Sequence, residues 1–148
     1  MRKTLIMAFG LVACITAAVA ADKTVCVAIA PSDLKWAEVP DTGGVRVATL
    51  WGDMHKGPHG AMAQFPAGNM HPLHAHTATL KIVTISGNFL YGPEGGPEKT
   101  YAPGSYLMIP GGLKHTSGCT SEAPCVLFQE GSGKFDMKLA GAAKSGKK

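Results

Sequence analysis

Short apolar segments alternate with turn residues between residues 34 and 129, and this pattern restricts the possible fold more than any other feature of the sequence. Each apolar segment has the length of a single β-strand. The predicted strands are residues 34–39, 45–51, 61–65, 80–85, 88–91, 105–109 and 124–129. Glycine, proline, aspartate and asparagine, which favour turns, are frequent between them. Because no segment shows a sustained helical period, the pattern predicts an all-β sandwich or barrel.

The chain length is sufficient for one domain with a hydrophobic core, since the sequence has 148 residues. We expect this domain to occupy residues 21–139 and the lysine-containing residues 140–148 to form a flexible tail. The formal charge of +4 arises mainly at the chain ends, because three of the 14 basic residues lie in the last five positions. The charge therefore predicts no basic binding face, and nucleic acid is not an expected partner.

Residues 1–20 have the features of a bacterial signal peptide. Arg2 and Lys3 form a positive start, residues 5–19 are almost continuously apolar, and Ala18, Val19 and Ala20 form a small-x-small cleavage pattern. We expect the mature chain to begin near Ala21 or Asp22. The sequence therefore predicts a periplasmic or secreted protein that is not attached to the membrane after cleavage.

Two other roles of the N-terminal segment remain open. It can be an uncleaved anchor, although residues 5–21 are slightly short for a bilayer core that needs about 20 apolar residues. It can also be lipidated on Cys14, because residues 11–14 resemble the lipidation site of bacterial precursors. Residues 15–21 remain apolar after that cysteine, which favours simple secretion over lipidation.

Export would leave three cysteines in an oxidising compartment, where disulfides form. Cys119 and Cys125 are separated by a turn-rich segment, so their Cα atoms can approach to the roughly 6 Å that a disulfide requires. This is the favoured pair, and it leaves Cys26 free, although pairings that use Cys26 remain open. A zinc site of His115, Cys119 and Cys125 is an alternative that lacks the short Cys-x-x-Cys spacing of such sites.

Residues 71–76 contain three histidines, and two of them are suitably spaced for a metal site. Side chains two residues apart on a strand point to the same face, so His74 and His76 can direct both imidazoles to one point. Imidazole binds zinc, iron, copper and nickel well. The pair predicts two metal ligands, and a third must come from elsewhere in the chain.

The spacing of these and later residues resembles the two sequence motifs of the cupin superfamily. The residues that match are Gly68, His74, His76 and Gly87 in the first motif, and Gly104, Pro110, Gly111, Gly112 and His115 in the second. The resemblance implies a double-stranded β-helix, the jelly-roll barrel of RmlC-like proteins, with a divalent transition metal on His74, His76 and His115. It also implies a homodimer. The wider pattern resembles a group of small bacterial cupins and implies no particular substrate.

One position departs from the cupin pattern and affects the expected chemistry. The metal-binding glutamate of the first motif falls on Leu80, so the implied site has three histidines and no carboxylate. Thiol and diketone dioxygenases are similar in this respect. The resemblance therefore implies a metal-dependent dioxygenase or lyase that acts on a small organic molecule. The alternative is a non-catalytic periplasmic cupin that binds metal or ligand as a sensor or store, and a metal-free barrel is a third hypothesis.

Other polar or sulfur-containing side chains near the motifs receive less specific predictions. His71 precedes a proline and is predicted to lie at the barrel rim. His55 and His59 are predicted loop residues, and Gln129 and Glu130, at the end of the last apolar segment, are not predicted ligands. Met70 is expected to share the face of His74 if the strand between them is regular.

Overall fold

The structure, a computed structural model, describes residues 26–141 of the chain. The predicted signal peptide, the cysteine considered for lipidation and residues 142–148 of the predicted tail lie outside the described residues, and those predictions stay open. Within residues 26–141, no helix has the length and apolar character needed to cross a membrane.

The described residues form a short 3-10 helix followed by eleven β-strands. The 3-10 helix is Pro31–Asp33, and the strands are β1 Ala37–Glu38, β2 Arg46–Gly52, β3 His59–Phe65, β4 Met70–Ala75, β5 Leu80–Ser86, β6 Phe89–Pro93, β7 Lys99–Tyr101, β8 Tyr106–Ile109, β9 His115–Cys119, β10 Cys125–Gly131 and β11 Lys138–Leu139. The strands form a larger sheet of six, in the order β1-β2-β3-β10-β5-β8, and a smaller sheet of five, in the order β11-β4-β9-β6-β7. Neighbouring strands in these sheets are antiparallel. The predicted all-β barrel is confirmed.

Three local predictions differ from the structure. Predicted strand 34–39 is reduced to the two residues of β1, and β4, β7, β9 and β11 are not among the predicted apolar segments. Of these, β7 and β11 are short and mostly exposed, so they show no apolar alternation. His59 is not a loop residue, because it begins β3 and is fully buried.

The core lies between the two sheets and follows the alternation of side chains along the strands. In β5, Leu80 and Ile82 are buried and Lys81 between them is exposed. Leu127 of β10 is completely buried, and Phe89 of β6 is 1% exposed. Burial of each such side chain contributes about 1.5–3 kcal/mol relative to its exposure. The inner face of the larger sheet is therefore mainly apolar.

A disulfide joins Cys119, at the end of β9, to Cys125, at the start of β10. Their Cα atoms are 5.8 Å apart, and both residues belong to the buried core. The favoured pairing is confirmed, and Cys26 is exposed and forms no disulfide with the other described cysteines. Because both thiols are used in this bond, the alternative zinc site of His115, Cys119 and Cys125 is wrong.

The turn before β9 depends on two glycines. Gly112 has a φ of +81°, which favours glycine, and a side chain on Gly111 would collide with the carbonyl oxygen of Thr77. The N–H of Gly112 donates a hydrogen bond of 2.8 Å to the carbonyl oxygen of His76. This turn therefore holds the start of β9 against the segment that carries His76.

Candidate metal centre

The three histidines of the predicted site come together on the smaller sheet. His74 lies in β4, His76 follows the end of that strand, and His115 is the first residue of β9. His74 and His115 are direct partners across the two strands. All three are buried, with 1%, 7% and 1% of their surface exposed, respectively.

The three imidazole rings are close enough to share one metal ion. The ring centroids of His74 and His115 are 4.3 Å apart, those of His74 and His76 are 4.9 Å apart, and those of His76 and His115 are 5.3 Å apart. One ring nitrogen of each residue lies within 4.8 Å of those of the other two. This cluster can therefore hold a metal ion, and the structure brings the three predicted ligands together.

Backbone carbonyl groups determine which nitrogen of each ring is available. The Nδ1 atom of His74 lies 2.7 Å from the carbonyl oxygen of Pro72, and that of His115 lies 2.9 Å from the carbonyl oxygen of Leu113. The Nδ1 atom of His76 makes the same kind of contact with the carbonyl oxygen of Asp136. A carbonyl oxygen only accepts hydrogen bonds, so each Nδ1 carries the proton and each Nε2 keeps its lone pair. This is the pattern of metal-binding histidines.

The electrostatic environment keeps the three rings neutral, as metal binding requires. Burial lowers the pKa of His74 to about 4, against the opposing effect of its hydrogen bond to Pro72. Burial also lowers the pKa of His76 and that of His115, and their hydrogen bonds to backbone carbonyls again oppose the effect. At neutral pH the cluster therefore offers three uncharged donors.

The donor set fits a divalent transition metal. Imidazole nitrogen suits iron, zinc, copper and nickel, whereas manganese prefers oxygen donors. Leu80, at the position of the usual cupin glutamate, is buried and lines the cavity beside the histidines. Among the described residues, the side chains that line this cavity include no carboxylate. An ion bound by the three imidazoles would therefore keep its full charge.

Aromatic rings that the sequence did not indicate pack around the histidines. Tyr91 of β6 stacks on His115 with a centroid distance of 5.3 Å. Phe135 lies 5.2 Å from His76 by the same measure. Both rings also pack against the hydrophobic core. These contacts restrict the orientations of two histidines and cover the site on two sides.

The sequence suggested that His71 is only a residue of the barrel rim, but the structure also places it at the cavity. It is half-buried, lines the cavity, and donates a hydrogen bond from Nε2 to the carbonyl oxygen of Thr42 at 3.1 Å. The strand is irregular between His71 and His74, where Pro72 cannot donate a hydrogen bond to the sheet. This irregularity places His71 on the side of His74 and leaves Met70 45% exposed, so the regular strand on which the expectation for Met70 depended is absent here.

The remaining candidate residues lie either at the surface or at the cavity. His55 is exposed, as predicted for a loop residue. Glu130 points outward and forms an ion pair of 2.7 Å with Lys81. Gln129, its neighbour, is buried and lines the cavity. Glu130 does not belong to the histidine cluster, whereas Gln129 borders the same cavity.

Asp136 holds the backbone segment that orients His76, and the sequence did not indicate this role. One carboxylate oxygen accepts a hydrogen bond of 2.7 Å from the backbone N–H of Thr77, and the other accepts one from the Thr77 hydroxyl. Burial raises the pKa of Asp136, but these hydrogen bonds and Lys138 outweigh it and lower the pKa overall. The carboxylate thus fixes the carbonyl group that receives the Nδ1 proton of His76.

We expect Asp136→Ala to lower the affinity for a divalent metal about tenfold, because groups that orient metal-binding histidines commonly contribute 10- to 100-fold. The measurement is a competition titration of Zn²⁺ with a chromophoric chelator. Asp33→Ala removes an exposed carboxylate on the 3-10 helix and serves as the control. Equal zinc affinities for the two variants would contradict this role of Asp136.

Solved structures with the same architecture include three proteins of low sequence identity. The polyketide cyclase RemF from Streptomyces resistomycificus has a TM-score of 0.66 and 16% identity, covering 81% of this chain and 89% of the cyclase. An RmlC-like cupin from Shewanella frigidimarina has a TM-score of 0.56 and 19% identity, covering 69% and 86%. The DMSP lyase DddQ from Ruegeria pomeroyi has a TM-score of 0.60 and 19% identity, covering 78% and 64%. These similarities show the fold alone.

The sequence itself matches one protein family over most of its length. No curated protein is significantly similar to this chain. The family described as the ChrR Cupin-like domain matches residues 24–134, which include both cupin motifs, the three histidines and the disulfide. The chain therefore belongs to the ChrR Cupin-like domain family of the cupin superfamily.

Proposed function

We propose that this protein is an exported cupin that binds a divalent transition metal through His74, His76 and His115 and presents it to a small organic molecule. The observation that carries the proposal is the arrangement of the three rings. Each Nδ1 donates a hydrogen bond to a backbone carbonyl, and one ring nitrogen of each histidine lies within 4.8 Å of those of the other two. Three buried imidazoles in this arrangement are explained by a metal ion more simply than by packing.

We assign the reaction to the dioxygenase or lyase type. A bound divalent ion supplies a Lewis acid or a site for oxygen chemistry. The histidines hold the ion from the smaller sheet, and apolar side chains such as Ile82 and Leu127 of the larger sheet form the opposite wall. This wall excludes water and favours the apolar part of an organic molecule, as in most small-molecule sites. Lyases and cyclases among the proteins of similar fold are compatible with this assignment.

A non-catalytic role, as a metal or ligand sensor or store, is the second candidate. It is favoured by the scarcity of general bases in the cavity wall, because the lining side chains of the described residues include no carboxylate or amine and, outside the metal cluster, only the imidazole of His71. A measurement of catalytic turnover distinguishes the metal-dependent enzyme from the sensor or store. A loaded protein that binds small molecules and converts none of them would support the sensor or storage role.

The cellular location is part of the proposal. The predicted signal peptide and the buried disulfide between Cys119 and Cys125 both fit an oxidising compartment, the periplasm or the exterior. The homodimer that the cupin resemblance implies remains a prediction, as does a small organic molecule as the main partner.

The test is elemental analysis of the mature protein purified from the periplasm without chelator or affinity tag. We expect near-stoichiometric iron, zinc, copper or nickel and a mass that corresponds to a chain beginning near Ala21 or Asp22. Retention of residues 1–20 on the purified chain would contradict export with cleavage. A metal-free protein whose stability does not respond to added metal would contradict the metal site.

A further inference from the structure

The cavity of the candidate metal centre has two chemically different walls. The three histidines belong to the smaller sheet and the segment that follows β4. The facing wall, from the larger sheet, is mostly apolar and includes Ile82, Leu127 and Leu80. One polar side chain interrupts that wall, and it belongs to Gln129 of β10.

The carboxamide of Gln129 faces the cavity and has no hydrogen-bond partner among the described residues. Gln129 is 7% exposed, and its neighbours across the sheet are Ala61 of β3 and Ile82 of β5, both of them buried. The side-chain hydrogen bonds of the described residues include none to the carboxamide of Gln129, and its amide atoms keep some accessible surface, which opens into the cavity. Burying an amide without a partner costs free energy, so this group is suited to a polar atom of a ligand or to water.

The charge of the site also indicates the charge of the ligand that it can bind. Imidazoles that bind an ion through Nε2 and donate their Nδ1 protons to backbone carbonyls add no negative charge, and the lining side chains of the described residues include no carboxylate, so the two positive charges of a divalent ion stay uncompensated. An uncompensated charge in an apolar enclosure is unfavourable, so an anion that enters with the ion gains free energy. Three histidines also leave coordination positions open on the ion, which allows a ligand to bind through two oxygen atoms.

We propose that the cavity binds a small organic anion with two adjacent oxygen donors and an apolar body, and that Gln129 positions this anion by a hydrogen bond from the opposite wall. The proposal rests on the proposed metal site. The oxygen donors bind the ion held by the histidines, and the apolar body lies against the larger sheet. Gln129 then recognises a polar atom of the ligand and does not itself serve as a metal ligand.

The test uses benzohydroxamate as a probe, since it binds a metal ion as an anion through two adjacent oxygen atoms and carries an apolar ring. The mature protein is loaded with Co²⁺, and the visible absorption of the ion reports the probe in a titration. We expect saturable binding of one benzohydroxamate per site. Benzamide, a neutral analogue with the same ring and a single oxygen donor, is expected to bind at least about tenfold more weakly, because it brings neither a second oxygen donor nor a charge to the ion.

Two variants of Gln129 separate its hydrogen bond from the charge of the site. Gln129→Leu is expected to weaken benzohydroxamate binding by about five- to tenfold, as the loss of one hydrogen bond predicts. Gln129→Glu places a carboxylate in the cavity and is expected to strengthen Co²⁺ binding and to weaken benzohydroxamate binding at least about tenfold. Gln64→Leu on β3 is the matched control, since Gln64 is half-buried on a strand of the same sheet and does not line the cavity.

The outcomes distinguish this inference from the proposed function. Co²⁺ binding with equal affinity for benzohydroxamate and benzamide would overturn the anion proposal and leave the metal site intact. Equal benzohydroxamate affinity in Gln129→Leu, Gln64→Leu and the wild type would overturn the positioning role of Gln129. A wild-type protein that fails to bind Co²⁺ would overturn the proposed function itself. The comparison of the two probes requires no variant, so it remains informative if a substitution prevents folding.

Discussion

Replacing His74, His76 and His115 together with alanine is expected to abolish tight metal binding and to remove all metal-dependent stabilisation of the fold. A ligand that binds only the folded state stabilises it by about 4 kcal/mol when its free concentration is about 1,000 times its dissociation constant. Thermal unfolding with added Zn²⁺ and with a chelator measures this difference. We expect a large difference for the wild type and none for the triple variant, because its three Nε2 donors are gone.

The comparison must use the difference between the metal-loaded and metal-free forms of each protein. Truncation of three buried side chains also leaves space in the core, which lowers stability even without metal. His55→Ala provides the control, since His55 is an exposed histidine in the turn before β3. If zinc stabilises the triple variant as much as it stabilises His55→Ala, the ion binds elsewhere and the assignment of the site is wrong.

The main strands were predictable where burial imposes an alternation on the sequence. In β5, buried Leu80 and Ile82 alternate with exposed Lys81, and the pattern is visible without a structure. In β7, Lys99 and Thr100 are exposed and Tyr101 is only half-buried, so the strand exists through its pairing with β6 and not through a local pattern. Strands at sheet edges bury little apolar surface, and sequence periodicity reports burial more directly than hydrogen bonding.

The histidine cluster was predictable because its spacing follows the cupin motifs, but its surroundings were not. The hydrogen bond from His76 to the carbonyl group of Asp136 joins residues 60 positions apart. Every residue has a backbone carbonyl, so the residue type does not indicate which one accepts this bond. The orientation of His71 depends on the irregularity of β4 at Pro72, which alters the alternation of faces. Gln129 could be placed in the cavity only after the register of β10 between β3 and β5 was known.

Leu80→Glu tests the most specific departure of this chain from the cupin pattern. Leu80 is 2% exposed and lines the cavity, so a glutamate there must bury its carboxylate. Without metal, we expect a loss of stability of about 3 kcal/mol, in the range for an unpaired buried charge. With metal, the carboxylate adds an oxygen donor and a negative charge, so the affinity for Mn²⁺ should rise at least about tenfold. Denaturant unfolding and Mn²⁺ titration measure the two effects.

Leu80→Gln separates the charge from the shape of the new side chain. Glutamine has nearly the same size and can offer an oxygen, but it cannot neutralise the ion. If the three histidines hold a divalent ion without charge compensation, Leu80→Glu should also weaken binding of an anionic ligand, while Leu80→Gln should leave it closer to the wild type. Equal Mn²⁺ affinities in the two variants would show that a charge at this position does not affect binding of the ion. The leucine would then affect the packing of the cavity wall, and the uncompensated charge could not explain which ligand the protein selects.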